Sequence, residues 1–274
     1  MTRRGVPSVK NAWSGGAALS HPEIVEQVHV DYIASGANLI ISNTFATHRG
    51  VLRDAEVVED FEALNRQAVE LAIAARDASD SSVVVAGGMS HWSFTGDDPP
   101  LDQLERDATE QAAILAAGGA EVIILEMMID IERMLCVYRA AHRTGLPIWV
   151  GLTVGDEDGV LADPAVMTLF DRSELLVDAV AALDGLDVDV VSIMHTDVRL
   201  VDACLDIIFD NWDGPVGAYA HDVNINHSLD DVMSPAAYAA LSAGWLDRGV
   251  RIIGGCCGTR PDHMHEVANL PGVT

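Results

Sequence analysis

The chain has 274 residues, 49% of them hydrophobic and 21% charged, which is typical of a globular protein and unlike a disordered one. Its 42 acidic residues far outnumber the 16 basic ones, and the net charge of −26 repels phosphate backbones and anionic lipids, so we expect neither nucleic acid nor a membrane as a partner. No apolar run approaches the roughly 20 residues of a membrane span, and the first residues lack the apolar stretch of a signal peptide, so a cytoplasmic location is predicted.

The acidic excess is typical of a solvated surface that keeps a protein soluble, and Lys10 is the only lysine in the chain. A sharper hypothesis is adaptation to high intracellular salt, because salt screens the repulsion between like charges. The free energy of unfolding should then rise between low and molar KCl. Chemical unfolding across that range tests the hypothesis, and unchanged stability would contradict it.

Short apolar runs rich in valine and isoleucine alternate with longer amphipathic stretches along the chain. Buried parallel strands and the helices between them have this pattern. The predicted strands are 38–45, 82–89, 121–127, 147–154, 188–195, 214–221 and 250–257. The predicted helices are 21–35, 54–77, 101–117, 131–144, 199–211 and 235–247. Strands and helices alternate over about 250 residues, which favours a (β/α)8 TIM barrel of the α/β class. No linker and no glycine-rich dinucleotide fingerprint interrupts this pattern, so we predict a single domain over residues 1–274.

This predicted barrel has fewer strands than the eight that close a TIM barrel. Seven strands are predicted, and the helix at 21–35 is preceded only by the arm at 1–16. We therefore expect the first strand to be absent or irregular. A barrel left open exposes strand edges, so self-association into a homo-oligomer is compatible with the sequence, although nothing fixes its symmetry.

Reactive groups of such barrels gather at the carboxyl ends of the strands. The polar residues at these ends that we take as candidates are Asn43, Thr44, Glu126, His195, His221, Cys256 and Cys257. Three of them, His195, Cys256 and Cys257, form a candidate metal site, because two thiolates and an imidazole suit Zn2+. The glycines of GGCCG at 254–258 would let two successive cysteines turn towards one ion. The alternative is a cysteine pair that is buried by packing alone.

Three segments resemble the zinc-dependent homocysteine S-methyltransferases, which include the betaine– and S-methylmethionine–homocysteine methyltransferases. GGCCGTRPDHM at 254–264 is similar to the family's zinc-binding signature and is the most specific match. HPEIVEQVHVDYIASGANLIISNTF at 21–45 is similar to the family's first helix and second strand. LEMMIDIERM at 125–134 resembles the strand that carries a substrate-binding glutamate. The resemblance extends from about Arg3 to the C-terminus.

The resemblance implies an enzyme that makes methionine from homocysteine and a sulfonium or quaternary ammonium donor, both small molecules. Zn2+ would hold the homocysteine thiol as a thiolate, and Glu126 would bind the α-ammonium group through a charge-assisted bond. Asn43 and Thr44 would position the substrate. His221 is a further candidate for the same site.

Three departures from the family pattern are informative. The family's third zinc ligand is a cysteine at the end of the sixth strand, whereas SIMHT at 192–196 places His195 there. TRRGVP at 2–7 resembles the segment just after the family's first strand and its Asp-Gly-rich loop, so we expect both to be absent from this sequence. YAH at 219–221 stands where the family usually has Tyr-Pro-Asn. Imidazole in place of thiolate makes the site more positive by one charge and should make zinc a stronger Lewis acid.

Two other functions stay open from the sequence. The missing strand and the His195 exchange favour a catalytically impaired relative or a partner subunit, which zinc and homocysteine binding would distinguish from an enzyme. A zinc hydrolase is a weaker alternative, because two thiolates make a bound water less acidic. For the methyltransferase, Trp92 and Phe94 are the aromatic candidates for contact with a cationic donor.

Overall fold

Strands and helices alternate in the computed structural model, which describes residues 1–8, 12–79, 81–93, 95, 98–155, 166–221 and 232–273. The strands are β1 (Leu39–Ile41), β2 (Val84–Met89), β3 (Val122–Met128), β4 (Ile148–Leu152), β5 (Val190–Asp197), β6 (Val216–His221) and β7 (Ile252–Ile253). The α-helices are α1 (Ala17–Ser20), α2 (Pro22–Ala34), α3 (Arg49–Asp54), α4 (Phe61–Asp77), α5 (Leu101–Ala117), α6 (Ile131–His142), α7 (Leu176–Ala181), α8 (Val201–Asn211), α9 (Pro235–Arg248) and α10 (Pro261–Ala268). These residues fall into two compact units.

The first unit comprises Met1–Glu126 and Glu132–Ile148. Its strands β1, β2 and β3 pair in parallel, with Ile40 opposite Val85 and Gly88 opposite Ile124. Helix α4 packs against α2 and β2. Its buried side chains recur every three or four residues, the spacing of one helix face, and include Phe61, Leu64, Ala68, Ala72 and Ala75.

The second unit comprises Met127–Ile131 and Trp149–Thr274. Its strands β4, β5, β6 and β7 pair in parallel in that order. Every residue of β5 is buried, as expected for a strand that is covered on both faces. Helix α9 follows Ser234, whose hydroxyl accepts a hydrogen bond from the Ala237 amide, and it ends at Gly249 with φ of 111°. These are ordinary start and stop signals of a helix.

The strand pattern read from the sequence is confirmed. All seven predicted strands are present in the predicted order, and their alternation with helices confirms the α/β class. Among the described residues no strand precedes Leu39, in line with a missing first strand. The single domain over residues 1–274 stays a prediction. None of the helices that the structure describes has the length and apolar character to cross a membrane.

Several predicted boundaries are wrong. The strand predicted over 250–257 ends at Ile253, so both cysteines of the GGCC motif lie beyond it. The helix predicted over 54–77 begins only at Phe61, because Glu56, with φ of 61°, cannot be part of a right-handed helix. The short helices α1, α3, α7 and α10 were not predicted, because 4 to 8 residues give little periodicity to detect.

Candidate metal centre

Three predicted metal ligands come together in the second unit. His195 Nδ1 lies 3.3 Å from the Sγ atom of Cys256 and 3.6 Å from that of Cys257. The two Sγ atoms are 4.0 Å apart. Within the described part of the chain, these residues form the one group of three or more potential ligands whose donor atoms all lie within 4.8 Å of one another.

A bulge in β5 turns His195 towards the cysteines. Pairing between β5 and β6 advances from Met194 opposite Tyr219 to Asp197 opposite His221, so β5 has one extra residue in this stretch. His195 has φ of 43°, in the left-handed region that non-glycine residues rarely adopt. Such a bulge breaks the alternation of a regular strand and redirects a side chain.

The cysteines lie in a turn that follows β7. The Cys256 amide donates to the Ala220 carbonyl at 3.0 Å, which ties the turn to β6. Thr259 closes the turn, because its amide and its hydroxyl both donate to the Cys256 carbonyl, at 3.1 and 2.7 Å. Glycine is needed before the cysteines, since a Cβ on Gly254 would lie 2.9 Å from the Tyr219 Cβ.

The chemistry of these donors fits a soft divalent metal. The pKa of Cys257 lies well below the ordinary thiol value, because Cys256 and His195 hydrogen-bond to its sulfur. The thiolate is the form that binds metal. Two sulfurs and one nitrogen leave a tetrahedral ion with an open position, the arrangement of catalytic zinc sites. Cys204 lies in α8, where burial raises its thiol pKa to about 12.

His221 lies directly beside His195, as the last residue of β6. The two ring centroids are 4.6 Å apart and the rings meet edge to face at 66°. His221 is 3% exposed, and its Nδ1 has no hydrogen-bond partner within the described residues. Burial lowers the His221 pKa to about 4, so the ring is neutral at physiological pH. A neutral ring can sit next to a metal ion without charge repulsion.

Glu126 is a buried carboxyl group of β3 in the first unit. It is 9% exposed, and burial raises its pKa to about 8. Its Oε2 atom occupies the space where a Cβ of residue 88 would lie, so a side chain at Gly88 would displace the carboxyl group. Thr44 is tied to the same glycine, because its hydroxyl donates to the Gly88 carbonyl at 2.7 Å. Sequence reasoning missed Gly88, although the paired glycines in VVVAGGM marked a close approach.

Asn43 lies at the carboxyl end of β1, where its side-chain amide donates to the Ser14 carbonyl at 2.9 Å. Three aromatic rings of the first unit lie together: the ring centroids of Trp13, Phe45 and Trp92 are 6.0 to 6.4 Å apart. Trp13 is 39% exposed. Trp92 was predicted to contact a cationic donor, whereas Phe45 was not predicted. Phe94, the other predicted contact, lies outside the described residues.

Comparison with known proteins decides the family. The sequence profile of the homocysteine S-methyltransferases matches residues 2–270. The chain belongs to this family. Homocysteine S-methyltransferase 3 of Arabidopsis thaliana is 23% identical, covering 98% of this chain and 86% of that protein. Betaine–homocysteine S-methyltransferase 1 of Danio rerio is 23% identical over 93% of this chain and 66% of its own length.

The fold is that of a solved family member. The metallated form of the homocysteine methyltransferase MmuM from Escherichia coli has a TM-score of 0.78 and 21% identity, over 97% of this chain and 91% of that one. The oxidised form of the same protein matches with a TM-score of 0.81, over 97% of this chain and 90% of that one. Together with the family match, this confirms the predicted fold class, the resemblance and the enzyme class of a homocysteine S-methyltransferase.

Proposed function

We propose that this enzyme transfers a methyl group from a sulfonium or quaternary ammonium donor to the thiol of homocysteine, with Zn2+ bound by His195, Cys256 and Cys257. The convergence of these three donors carries the proposal, since their atoms all lie within 4.8 Å of one another. Bound zinc would supply Lewis acidity that lowers the pKa of a thiol and favours the nucleophilic thiolate. The complete donor set argues against the alternative of an impaired relative.

The combination of one imidazole and two thiolates determines the net charge of the metal centre. Two thiolates neutralise a divalent ion, while three thiolates would leave an excess negative charge. A neutral imidazole in place of the third thiolate therefore makes the centre more electron-withdrawing. We therefore expect the metal to bind the substrate sulfur more tightly than at a three-cysteine site. The bound thiolate should then be a less electron-rich nucleophile.

Substrate recognition is assigned to residues of the first unit. Glu126 would bind the α-ammonium group of homocysteine, because a buried carboxyl that forms no ion pair with any described residue gains most from pairing with a cation. Asn43 and Thr44 lie just beyond the carboxyl end of β1 and would position the amino acid there. Their bonds to the Ser14 and Gly88 carbonyls keep this segment in place. His221 would line the metal centre. A cationic donor would suit the ring cluster of Trp13, Phe45 and Trp92, since aromatic faces attract sulfonium and ammonium groups.

Zinc-loaded enzyme incubated with homocysteine should form methionine with at least one of S-methylmethionine, S-adenosylmethionine or glycine betaine. Methionine is quantified by mass spectrometry, with Cys257→Ala as the variant that lacks a metal ligand. Equal methionine from wild type and the variant would contradict the proposed site. Zinc-loaded wild type that binds homocysteine but forms no methionine with any donor would contradict the proposed donor class.

A further inference from the structure

We propose that His221 is a positioning residue, which holds His195 in the conformation that presents its Nδ1 to the metal. The proposal rests on the metal site assigned above. Three observations carry it: the edge-to-face contact between the two rings, the burial of His221 behind it, and the unusual backbone of His195. None of them concerns the substrate, and all lie within the second unit.

The backbone of His195 requires external support. A non-glycine residue at φ of 43° is in a conformation that persists only where its surroundings impose it. The bulge in β5 is fastened to β6 immediately beside His221, because the Val198 amide donates to the His221 carbonyl at 3.1 Å. His221 thus contacts the ring of His195 and, through its main-chain carbonyl, anchors the bulge that carries it.

His221 acts through His195 and not as a ligand itself. The group whose donor atoms converge comprises His195, Cys256 and Cys257, and His221 is not in it. Its ring instead packs at 66° against the ring of His195. The Phe170 ring also lies near His195, with ring centroids 6.1 Å apart at 57°. Of these two rings, that of His221 is the nearer, and it belongs to the residue whose carbonyl anchors the bulge.

Other groups near His221 have different roles. Asp197 is occupied by Arg199, whose guanidinium donates two hydrogen bonds to its carboxylate, at 2.7 and 2.6 Å. Thr196 accepts a hydrogen bond from the Val154 amide at 3.0 Å, which fixes the bulge to β4. Neither side chain contacts the His195 ring through a bond that the structure shows. Loss of the His221 ring should therefore loosen the imidazole of His195 while the cysteines stay in place.

A double-mutant cycle on the full chain tests this role. Zinc affinity is measured by competition with a chromogenic chelator for wild type, His221→Asn, His195→Cys and the double variant. Asparagine is the residue of the family's usual Tyr-Pro-Asn turn, and cysteine is its usual ligand. We expect about a 10- to 100-fold loss of affinity for His221→Asn in the wild-type background, the usual effect of removing a group that orients a ligand. In the His195→Cys background the loss should be below about 3-fold, because there is no imidazole to orient.

The outcomes separate the two proposals. Equal losses in both backgrounds, or no loss in either, overturn the positioning role while wild-type zinc binding still supports the metal site. Wild type that binds no zinc overturns the metal site and the positioning role together. Should His195→Cys or His221→Asn fail to fold, cobalt-substituted His221→Gln decides: weakened or shifted d–d bands with retained sulfur-to-cobalt charge transfer support the role, and an unchanged spectrum overturns it.

Discussion

Replacing His195 with alanine is expected to reduce bound zinc from about one ion per chain to below about one tenth after dialysis against a weak chelator. The imidazole supplies one of the three donor atoms that converge, and its Nδ1 lies 3.3 and 3.6 Å from the two sulfurs. Its removal leaves two adjacent cysteines as the remaining candidate ligands of this cluster among the described residues. Two ligands on one turn cannot enclose a tetrahedral ion, so methyl transfer should be lost together with the metal.

Elemental analysis of zinc per chain measures this effect directly. His265→Ala is the matched histidine control, because His265 is an exposed residue of α10. Cys204→Ala is the thiol control, since Cys204 is buried in α8 and lies outside the cluster. Both controls should retain the wild-type zinc content. Full zinc in His195→Ala would show that this histidine is not a ligand and that another group completes the site.

The fold and the convergence of His195, Cys256 and Cys257 could largely be predicted from the sequence. Buried parallel strands are apolar on both faces, so each of the seven strands is visible as a short valine- and isoleucine-rich run. The carboxyl ends of parallel strands meet at one edge, which places His195 and the two cysteines near one another before any coordinates are known. The adjacent cysteines with flanking glycines, together with a histidine at another strand end, made a shared metal site a more specific prediction than a packed cysteine pair.

The details that orient these residues could not be read from sequence. Nothing in SIMHT marks the bulge or the left-handed backbone of His195, because no glycine or asparagine signals it. The paired cysteines were placed in a strand, whereas the strand ends at Ile253 and a turn presents them. Thr259 closes that turn locally, but the hydrogen bond that ties the turn to Ala220 of β6 joins residues distant in the sequence. Local patterns predict elements well and predict irregularities within them poorly.

Glu126→Gln is expected to stabilise the fold and weaken homocysteine binding at the same time. Burial raises the pKa of this carboxyl to about 8 in the folded chain, against an ordinary value of 4.5. Because the folded-state pKa is raised, the protonated Glu126 carboxyl contributes its full stabilisation of the fold below about pH 4.5. This contribution is lost as the pH rises towards 8. At roughly 1.4 kcal/mol per pKa unit, the wild type should be less stable than the glutamine variant near pH 7.5 by roughly 4 kcal/mol. Glutamine has no charge to desolvate, so the difference should vanish near pH 4.5.

The opposite effect on binding follows from the same burial. A substrate ammonium that pairs with the buried carboxylate removes the penalty of ionising it, and a charge-assisted bond of this kind is worth about 1.5–3 kcal/mol. Loss of that bond should weaken homocysteine binding about 10- to 100-fold.

Urea unfolding near pH 5 and pH 7.5, together with calorimetric titration of homocysteine into zinc-loaded protein, measures both effects. Glu132→Gln is the control, because Glu132 is exposed on α6 and should change neither quantity. A variant that gains stability yet binds homocysteine as well as wild type would show that Glu126 is only a buried acid. A variant that loses both stability and binding would show that the carboxylate is paired within the fold. Only the combination of greater stability and weaker binding identifies a carboxyl group that is kept buried for a cationic substrate.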